Sequence, residues 1–389
     1  MAHDAALVER MLAEARSVVR LELEKLFERR RKTGYGPLYD LLADYPFREG
    51  KGLRPAICLA ACRAAGGAGE QAVVTAAALE LFHNAFLVHD DVEDGSLFRR
   101  GKITMMQAEG VPVAVNVGDA TNVLALGLLL DNLPMLGIRK SLLLLREAER
   151  MARESAEGQA IELAWIKDGH FDLGDRDYSR MAYKKTCWYT VVAPLRMGVI
   201  CGSAPGAGAP SDRDMLMLIE LGFLAGMAFQ ITDDLLNLEA EEAVYGKEQS
   251  GDLWEGKRTV MLLHFIRAAA PRPRERALRI LRPRRRSCAS CGPAGSTASS
   301  TPVRRGSPSS PRPFPGSATP AGSASILPPS SSLSCAAPAS PVLSPSICCR
   351  GSISRWDRKT ANCRPGLILP AAAVMVSRFS GYSCIRFTR

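Results

Sequence analysis

Four carboxylates within five consecutive residues form the strongest chemical signal in this sequence. Asp90, Asp91, Glu93 and Asp94 end an apolar helical stretch, and Gly95 follows as a helix stop. Like charges three or four positions apart on a helix repel each other by about 0.2–0.5 kcal/mol per pair. The carboxyl end of a helix disfavours anions further, because its dipole is negative there. The cluster therefore predicts a site that binds cations.

A second acidic cluster lies on another apolar stretch, FQITDDLLNLE. Asp233 and Asp234 are its carboxylates, with Gln230 one turn before them and Asn237 one turn after. Either cluster alone is weak evidence, because solvated acidic turns are common. Two such clusters on helices that should face each other inside a bundle indicate a metal site. Magnesium suits it, since Mg²⁺ uses few carboxylates and takes phosphate oxygens and water as its other ligands.

Lysine and arginine side chains near predicted helix ends supply the opposite charge. Each of them alone is more often a solvated surface residue. Together they provide what a helical site needs to hold two diphosphate groups in an otherwise apolar cavity. These residues are Lys51, Arg54, Arg99, Arg100, Lys185 with its neighbour Thr186, Lys247 and Lys257.

The elements that must position these side chains are predicted to be helices throughout. Apolar residues recur at steps of three and four, and no stretch keeps the alternation of a strand for long. This pattern predicts an all-α bundle of about ten helices around a central cavity. Residues 111–130 are apolar on nearly every side, which predicts a helix buried all round. The other main helices are predicted at about 4–31, 70–94, 142–167, 178–202 and 212–238.

The composition divides the 389 residues into two parts near Pro283. Residues 1–282 carry 36 basic and 39 acidic side chains, whereas residues 283–389 carry 14 basic ones and a single acid. The formal net charge of +10 thus belongs to the tail, and it gives no reason to expect nucleic-acid binding by the rest. The tail is rich in Ser, Pro, Ala, Gly and Arg without apolar periodicity, which predicts disorder. It is either a native disordered tail or the product of a reading-frame slip; its scattered cysteines and near absence of acids favour the slip.

Cysteine usage and the amino terminus indicate a cytoplasmic protein. Only four of the 11 cysteines precede the tail, and Cys58 and Cys62 are spaced as neighbours on one helix face rather than as a CxxC motif. They are predicted to be small core residues. The amino terminus is acidic and amphipathic, and apolar runs are interrupted before about 18 residues, so neither export nor a membrane span is expected.

Seven motifs resemble those of the trans-isoprenyl diphosphate synthases, the polyprenyl synthetase family, in both order and spacing. The resemblance runs from about Tyr35 to Thr259 and is strongest to bacterial geranylgeranyl diphosphate synthases. Two departures stand out: the second acidic motif ends in Asn237 instead of a third Asp, and the tail replaces the helices with which the family continues. The motifs are GKGLRP, HDDVED, RRG, EGQ at 157–159, KKT at 184–186, FQITDDLLN and GDLWEGKRT.

The resemblance implies a role for each residue of the two clusters and of the basic set. The metal ions on the allylic diphosphate would be held by Asp90, Asp91, Asp94, Asp233, Asp234 and Asn237. That diphosphate would also be bound by Arg99, Lys185, Thr186, Gln230, Lys247 and Lys257. Isopentenyl diphosphate would be bound by Lys51, Arg54, His83 and Arg100. Taken without the family, His83 is equally consistent with a buried structural histidine.

The implied reaction is a condensation of isopentenyl diphosphate with an allylic diphosphate. Mg²⁺, or Mn²⁺ in its place, and the cationic side chains would draw charge onto the leaving diphosphate, so that an allylic carbocation forms and is attacked by the second substrate. The dry helical walls would keep water away from that cation. A homodimer is implied as the assembly.

Product length would be set on the helix that precedes Asp90, along which the family's prenyl chain extends. Phe86 lies about one turn before Asp90 and Phe82 about two turns before it, while Ala85 leaves room beside them. These residues imply a geranylgeranyl product, with farnesyl diphosphate as the alternative.

Two further readings of the sequence remain. A non-catalytic subunit that tunes a partner synthase is one, although such subunits usually lose an acidic motif and this chain keeps both. An inactive copy is also possible on this view, because of the aberrant tail. A terpene cyclase is the other, and the motifs GKGLRP and RRG argue against it because they serve a second diphosphate.

Overall fold

Helices form nearly all of the described chain, which comprises residues 2–48, 50–204, 210–239 and 250–281 of this computed structural model. The all-α prediction is confirmed. Lys247 and the tail from Pro283, for which the sequence made predictions, lie outside the described residues. The described residues belong to one unit, within which the acidic clusters and the basic set are held.

The helices follow one another with short connections. The first group is α1 (Ala2–Thr33), α2 (Gly36–Phe47), α3 (Leu53–Ala64), a 3₁₀ turn (Gly69–Ala72), α4 (Val73–Asp94), α5 (Met105–Glu109), α6 (Val111–Leu130) and α7 (Leu133–Asp168). The second group is α8 (Asp175–Ala182), a π-helix (Tyr183–Val192), α9 (Ala193–Gly202), α10 (Asp212–Glu239), α11 (Gly251–Trp254), α12 (Val260–Ala268) and α13 (Pro271–Leu281).

Helix α4 lies at the centre of the bundle and carries the first acidic cluster. Every residue from Thr75 to Ala85 is buried, and the helix packs against α1, α2, α3, α6 and α9. Gly95 ends it with a left-handed backbone (φ 69°), as its position predicted. A buried apolar helix thus delivers its last turn, with the carboxylates, to a fixed place.

A short β-hairpin follows α4, and the sequence gave no sign of it. Phe98–Arg99 pairs antiparallel with Lys102–Ile103, and the two turn residues Arg100 and Gly101 have positive φ values of 52° and 72°. Positive φ at both central residues is the backbone of a type I′ turn, the usual connection of a two-residue hairpin. The hairpin separates the two arginines, so that Arg99 is in a strand and Arg100 in the turn.

The stretch predicted as one helix at 178–202 is divided into α8, the π-helix and α9. The π-helix carries Lys185 and Thr186, and it packs very closely against α7. A Cβ atom on Gly158 of α7 would lie only 2.2 Å from the backbone nitrogen of Lys185, so that position admits only glycine. π-Helical segments are uncommon and are frequently found at functional sites.

The prediction that residues 111–130 are buried on every side is wrong. One face of α6 packs on α4, and the opposite face is exposed in this structure. Its exposed apolar residues are Val111, Val115, Val123, Leu126 and Leu130. Composition showed that α6 is apolar, but it could not show how much of that surface other helices of this chain cover.

Three helical stretches of the described chain are long and apolar enough to cross a membrane, judged by length and composition alone. They are residues 69–94, 111–130 and 212–239. Within their most apolar windows 72%, 44% and 11% of the residues are buried, so α10 is the least covered of the three. Leu216, Met217 and Leu224 are large exposed residues of α10.

Candidate functional site

A cavity of about 770 Å³ lies between the helices and brings together most of the residues that the sequence singled out. Both acidic clusters and both ends of the basic set contribute to its walls. The predicted site residues that line it are Lys51, Arg54, His83, Asp90, Arg99, Arg100, Lys185, Thr186, Gln230, Asp233, Asp234 and Lys257.

The first acidic cluster presents Asp90 to the cavity. Burial raises the pKa of Asp90, and the neighbouring Asp94 adds to this, while Lys185 and Lys257 act in the opposite direction. Asp94 itself accepts a hydrogen bond from Lys257 Nζ at 2.8 Å. A carboxylate that is desolvated and close to a second carboxylate is stabilised by any cation that enters.

Asp91 has a different placement from the one its spacing predicted. Its side chain is fully buried and is not part of the cavity wall. Arg99 donates from Nε to Asp91 Oδ1 at 2.8 Å, and the Tyr45 hydroxyl donates to Asp91 Oδ2 at 2.6 Å. Because both oxygens are already used inside the protein, this geometry does not support the expectation that Asp91 is a metal ligand.

The second acidic cluster is ordered by a chain of hydrogen bonds. Thr186 Oγ1 donates to Gln230 Oε1 at 2.5 Å, and Gln230 Nε2 donates to Asp234 Oδ1 at 2.6 Å. The Tyr178 hydroxyl donates to Asp234 Oδ2 at 2.7 Å. Burial raises the pKa of Asp234 to about 7 in spite of these bonds. Asp233, on the same turn, also lines the cavity.

Asn237 faces away from the cavity. Its side-chain oxygen accepts a hydrogen bond from the backbone N–H of Asp252 at 3.2 Å, and its backbone oxygen accepts one from Ser250 at 2.8 Å. The side chain is almost wholly buried. Asn237 thus holds the start of α11, and this placement does not support the expected metal contact.

Two buried lysines stand between the acidic clusters. Lys185 is paired with Glu162 of α7, and Lys257 binds Asp94 and also Glu255, at 2.6 Å. Burial opposes the charged form of both amines, but the surrounding carboxylates outweigh it and raise the pKa of Lys185 and of Lys257. Both lysines therefore remain cationic and available to an anion in the cavity.

A second basic group lies near the carboxyl end of α2 and the start of α3. Arg54 Nη2 donates to Thr190 Oγ1 at 2.9 Å, and its guanidinium lies 4.5 Å from the Tyr189 ring centre. His83 Nε2 is 3.5 Å from Arg100 Nη2. Burial, then the charges of Arg54 and Arg100, lower the pKa of His83, which keeps its ring neutral.

Lys51 borders the same group and is exposed at the cavity wall. The cationic groups of the cavity therefore fall into two sets, one beside the carboxylates and one around His83.

The residues predicted to limit product length are not part of the cavity wall as it stands. Ala85 and Phe82 are buried, and Phe86 is partly buried with its ring edge against Tyr189, at 5.6 Å between ring centres. Tyr189 does line the cavity, and it also stacks on His83. One aromatic ring thus separates the cavity from Phe86.

Several residues of the site were missed in the sequence. Glu162, Tyr178 and Tyr189 line the cavity, and Tyr45 contacts Asp91 from behind. Glu162 lies three residues after the EGQ motif and faces Lys185, so the charge pattern of α7 could have indicated it. The tyrosines carried no such signal, because buried tyrosines are common in any core.

The residues fit a divalent cation that arrives with an anionic ligand. In the part of the chain that the structure describes, no three carboxylate, imidazole or thiolate side chains are close enough to hold a metal ion by themselves. Asp90 and Asp233 line one cavity, and oxygen donors of this kind are preferred by Mg²⁺, which completes its coordination with phosphate oxygens and water.

Comparison with known proteins agrees with these features. A family model described as polyprenyl synthetase matches residues 37–291. The chain is 31% identical over 232 residues to a short chain isoprenyl diphosphate synthase from Methanothermobacter thermautotrophicus, covering 60% of this chain and 68% of that protein. It is 36% identical over 222 residues to an octaprenyl diphosphate synthase from Escherichia coli, covering 57% and 64%. The chain therefore spans about two thirds of the length of these relatives.

Among solved structures, the fold is similar to a geranylgeranyl pyrophosphate synthase from Corynebacterium glutamicum complexed with isoprenyl diphosphate and magnesium. The TM-score is 0.63 at 27% identity, over 70% of this chain and 82% of that one. The family match includes both acidic clusters and the basic residues that share the cavity with them. On this evidence the chain belongs to the polyprenyl synthetase family.

Proposed function

We propose that this protein is a prenyltransferase that condenses isopentenyl diphosphate with an allylic diphosphate. The observation that supports this most directly is the arrangement of one cavity with two acidic clusters, two buried lysines between them and a separate basic group around His83. Two anionic substrates need two cationic regions, and a reaction between them needs both regions in one cavity.

In the proposed mechanism the allylic diphosphate is bound between the acidic clusters. Asp90, Asp94, Asp233 and Asp234 would hold Mg²⁺, or Mn²⁺, which when bound draws electron density from the diphosphate oxygens. Lys185 and Lys257 hold the leaving diphosphate, with Arg99 beside them; Thr186 and Gln230 order Asp234. The C–O bond breaks, its electron pair stays with the diphosphate, and the allyl group becomes a cation.

The second substrate is placed at the other basic group. Arg54, Arg100 and Lys51 would bind the diphosphate of isopentenyl diphosphate, and His83 donates or accepts a hydrogen bond as a neutral ring. The double bond attacks the allylic cation, a new C–C bond forms, and a proton is lost to the diphosphate released in the first step. Leu87, Met181 and Phe229 in the cavity wall exclude water from the cation.

The function is tested by incubating the purified protein with labelled isopentenyl diphosphate, each allylic primer and Mg²⁺. Extraction of labelled prenyl diphosphate would support the proposal. A chain that binds diphosphate but forms no product would instead be a regulatory subunit or an inactive copy. Release of a cyclic hydrocarbon from the allylic substrate alone would identify a terpene cyclase.

We propose geranylgeranyl diphosphate as the product, with farnesyl diphosphate as the alternative. The relatives do not decide this, since they include short chain, geranylgeranyl and octaprenyl synthases. The proposal rests on Tyr189, Phe86 and Phe82, which lie in sequence behind the cavity wall, and on the small side chain of Ala85 next to them.

Shortening Phe86 should lengthen the product. Phe86→Ala removes the ring that contacts Tyr189 and opens space behind it, so we expect products longer by one or more isoprene units; Ala85→Phe should shorten them. Phe82→Ala should act in the same direction as Phe86→Ala, although loss of a buried Phe costs about 3–5 kcal/mol of stability. Product chromatography gives the answer, with Phe265→Ala as a remote control. An unchanged product from all three variants would place the length limit elsewhere.

We also propose a homodimer formed through an exposed apolar surface, the α6–α7 patch. It consists of Val115, Val123, Leu126 and Leu130 of α6 with Met135, Ile138 and Leu142 of α7. Val123 and Ile138 are 68% and 70% exposed, and contiguous apolar surface of this kind commonly marks a protein interface.

A charge in the α6–α7 patch should separate the subunits. We expect sedimentation equilibrium to give a dimer for the unmodified chain and a monomer for the double variant Val123→Glu/Ile138→Glu, because the interface would then have to bury two carboxylates. Leu21→Glu, at an exposed apolar position of α1, should leave the dimer intact. A dimer that survives the double variant would exclude this patch as the interface.

For the remaining organisation, we propose that residues 1–282 form the catalytic domain and that the tail from residue 283 takes no part in binding. The exposed apolar residues of α10 are consistent with a face that further helices would cover in a relative with the usual continuation. We propose a cytoplasmic protein without a membrane span, because α4 and α10 carry the carboxylates of the site. The free thiols of the four described cysteines agree with a reducing compartment.

A further inference from the structure

Tyr45 of α2 joins the first acidic cluster to parts of the chain that are distant in sequence. The side chain is 2% exposed, and its hydroxyl donates to Asp91 Oδ2 at 2.6 Å while it accepts a hydrogen bond from the backbone N–H of Met105 at 3.1 Å. Burial, followed by the nearby Asp91 carboxylate, raises the pKa of Tyr45, so the phenol stays protonated and can donate. The hydroxyl thus fixes one oxygen of Asp91.

The other oxygen of Asp91 orients Arg99. Arg99 Nε donates to Asp91 Oδ1 at 2.8 Å, and the arginine is buried except where it meets the cavity. A guanidinium held by its Nε and one terminal nitrogen leaves its remaining N–H groups free to point elsewhere. In this structure they border the cavity that contains Asp90 and Lys257.

The backbone of the hairpin is held by the same turn of α2. Arg48 donates to the backbone oxygen of Arg99 at 3.2 Å and to that of Ile103 at 2.9 Å. Its guanidinium lies 4.2 Å from the centre of the Tyr45 ring. Since Arg99 and Ile103 are on opposite strands, α2 fixes both strands of the hairpin in addition to the Asp91 side chain.

We propose that Tyr45 is a positioning residue for anion binding, which acts through Asp91 on the guanidinium of Arg99. It does not touch the cavity and is not part of the metal site. This inference rests on the proposed function insofar as it takes the ligand near Arg99 to be a diphosphate. It separates the acidic cluster into a carboxylate that faces the cavity, Asp90, and one that holds an arginine, Asp91.

A purely structural role for Tyr45 would give different results from this one. If the ring only fills space in the core, phenylalanine replaces it at nearly equal volume and ligand binding is unchanged. If the hydroxyl orients Arg99, its loss weakens anion binding while the metal affinity stays the same. Tyr45→Phe is thus the informative variant, since it deletes one oxygen atom and leaves the ring.

The experiment measures binding of inorganic diphosphate in the presence of Mg²⁺ by calorimetry, and binding of Mn²⁺ alone by electron paramagnetic resonance. For Tyr45→Phe we expect diphosphate affinity about tenfold lower, the scale for one hydrogen bond to a charged group, and Mn²⁺ affinity unchanged. Tyr35→Phe, at a 74% exposed position before α2, is the matched control and should match the unmodified chain in both. Equal diphosphate affinity in Tyr45→Phe and the unmodified chain would overturn the inference.

A double-variant cycle tests the route through Asp91. In an Asp91→Asn background, which keeps the shape of the side chain but weakens its hold on Arg99, Tyr45→Phe should lower diphosphate affinity by less than about twofold further. An undiminished tenfold loss there would mean that Tyr45 acts by another path and would overturn the proposal. If the unmodified chain bound no diphosphate at all, the proposed function would fail first, and that result is distinguishable from a failure of Tyr45 alone.

Discussion

Asp90→Ala and Asp233→Ala are each expected to lower the turnover of isopentenyl diphosphate by about 10²–10³-fold, the usual cost of removing one preorganised electrostatic element. Both carboxylates line the cavity, one on α4 and the other on α10. Since neither helix alone offers a complete set of ligands, loss of either carboxylate should remove the shared hold on the cation. Excess chelator should abolish turnover in the unmodified chain, and Mg²⁺ or Mn²⁺ should restore it.

Unfolding would not explain such a loss for Asp90→Ala. Burial raises the pKa of Asp90, which means that its ionised form is destabilising in the folded protein without a cation. The variant should therefore melt at the same temperature as the unmodified chain or slightly above it. Glu220→Ala, at an exposed position of α10, is the control for a carboxylate outside the cavity. Full turnover in excess chelator would contradict the metal-dependent mechanism.

The fold class and the two acidic helices could be predicted because both depend on local pattern. The spacing of apolar residues along α4 and α10 is a property of each helix by itself, and Gly95 ends α4 wherever that helix packs. Two clusters on such helices predicted one shared site, and the cavity contains residues of both.

The orientation of single side chains within the clusters could not be predicted in this way. Asp90 and Asp91 are adjacent carboxylates, and the sequence gave both the same role. What separates them is the Tyr45 hydroxyl, 46 positions away in the chain, and the hairpin that carries Arg99. Contacts of this kind depend on how α2 packs on α4, for which spacing within one helix has no information.

The hairpin and the π-helix were missed for a related reason. Strands of two residues have no period to detect, and a positive φ at Arg100 is not a preference of arginine. The π-helix has the composition of an ordinary helix. Its close contact with Gly158 of α7 is a tertiary feature, and such features override local propensity.

Lys185→Met is expected to reduce turnover by about 10²-fold and to destabilise the fold as well. Lys185 forms a buried ion pair with Glu162, so removal of the amine leaves a buried carboxylate without its partner. Breaking a buried pair from one side costs about 3–5 kcal/mol. Chemical denaturation measures the stability, and the labelled-substrate assay measures the turnover.

The neighbouring lysine gives the control. Lys184 contacts Glu154 and Glu157, both at 2.6 Å, and its side chain is not part of the cavity wall. Glu157 is about half exposed, so Lys184→Met should cost no more than about 1 kcal/mol and should leave turnover unchanged. Two adjacent lysines in one π-helix are thus expected to differ sharply in both measurements.

A second substitution separates stability from catalysis at Lys185. In Lys185→Met/Glu162→Met both charges are gone, and buried ion pairs replaced by apolar side chains of similar volume often leave stability equal or higher. The double variant should therefore recover the stability lost in Lys185→Met but none of the turnover, because the amine that holds the leaving diphosphate is still absent. Recovery of turnover along with stability would show that Lys185 acts only by neutralising Glu162, and the diphosphate would then have to be held by Lys257 and Arg99 without it.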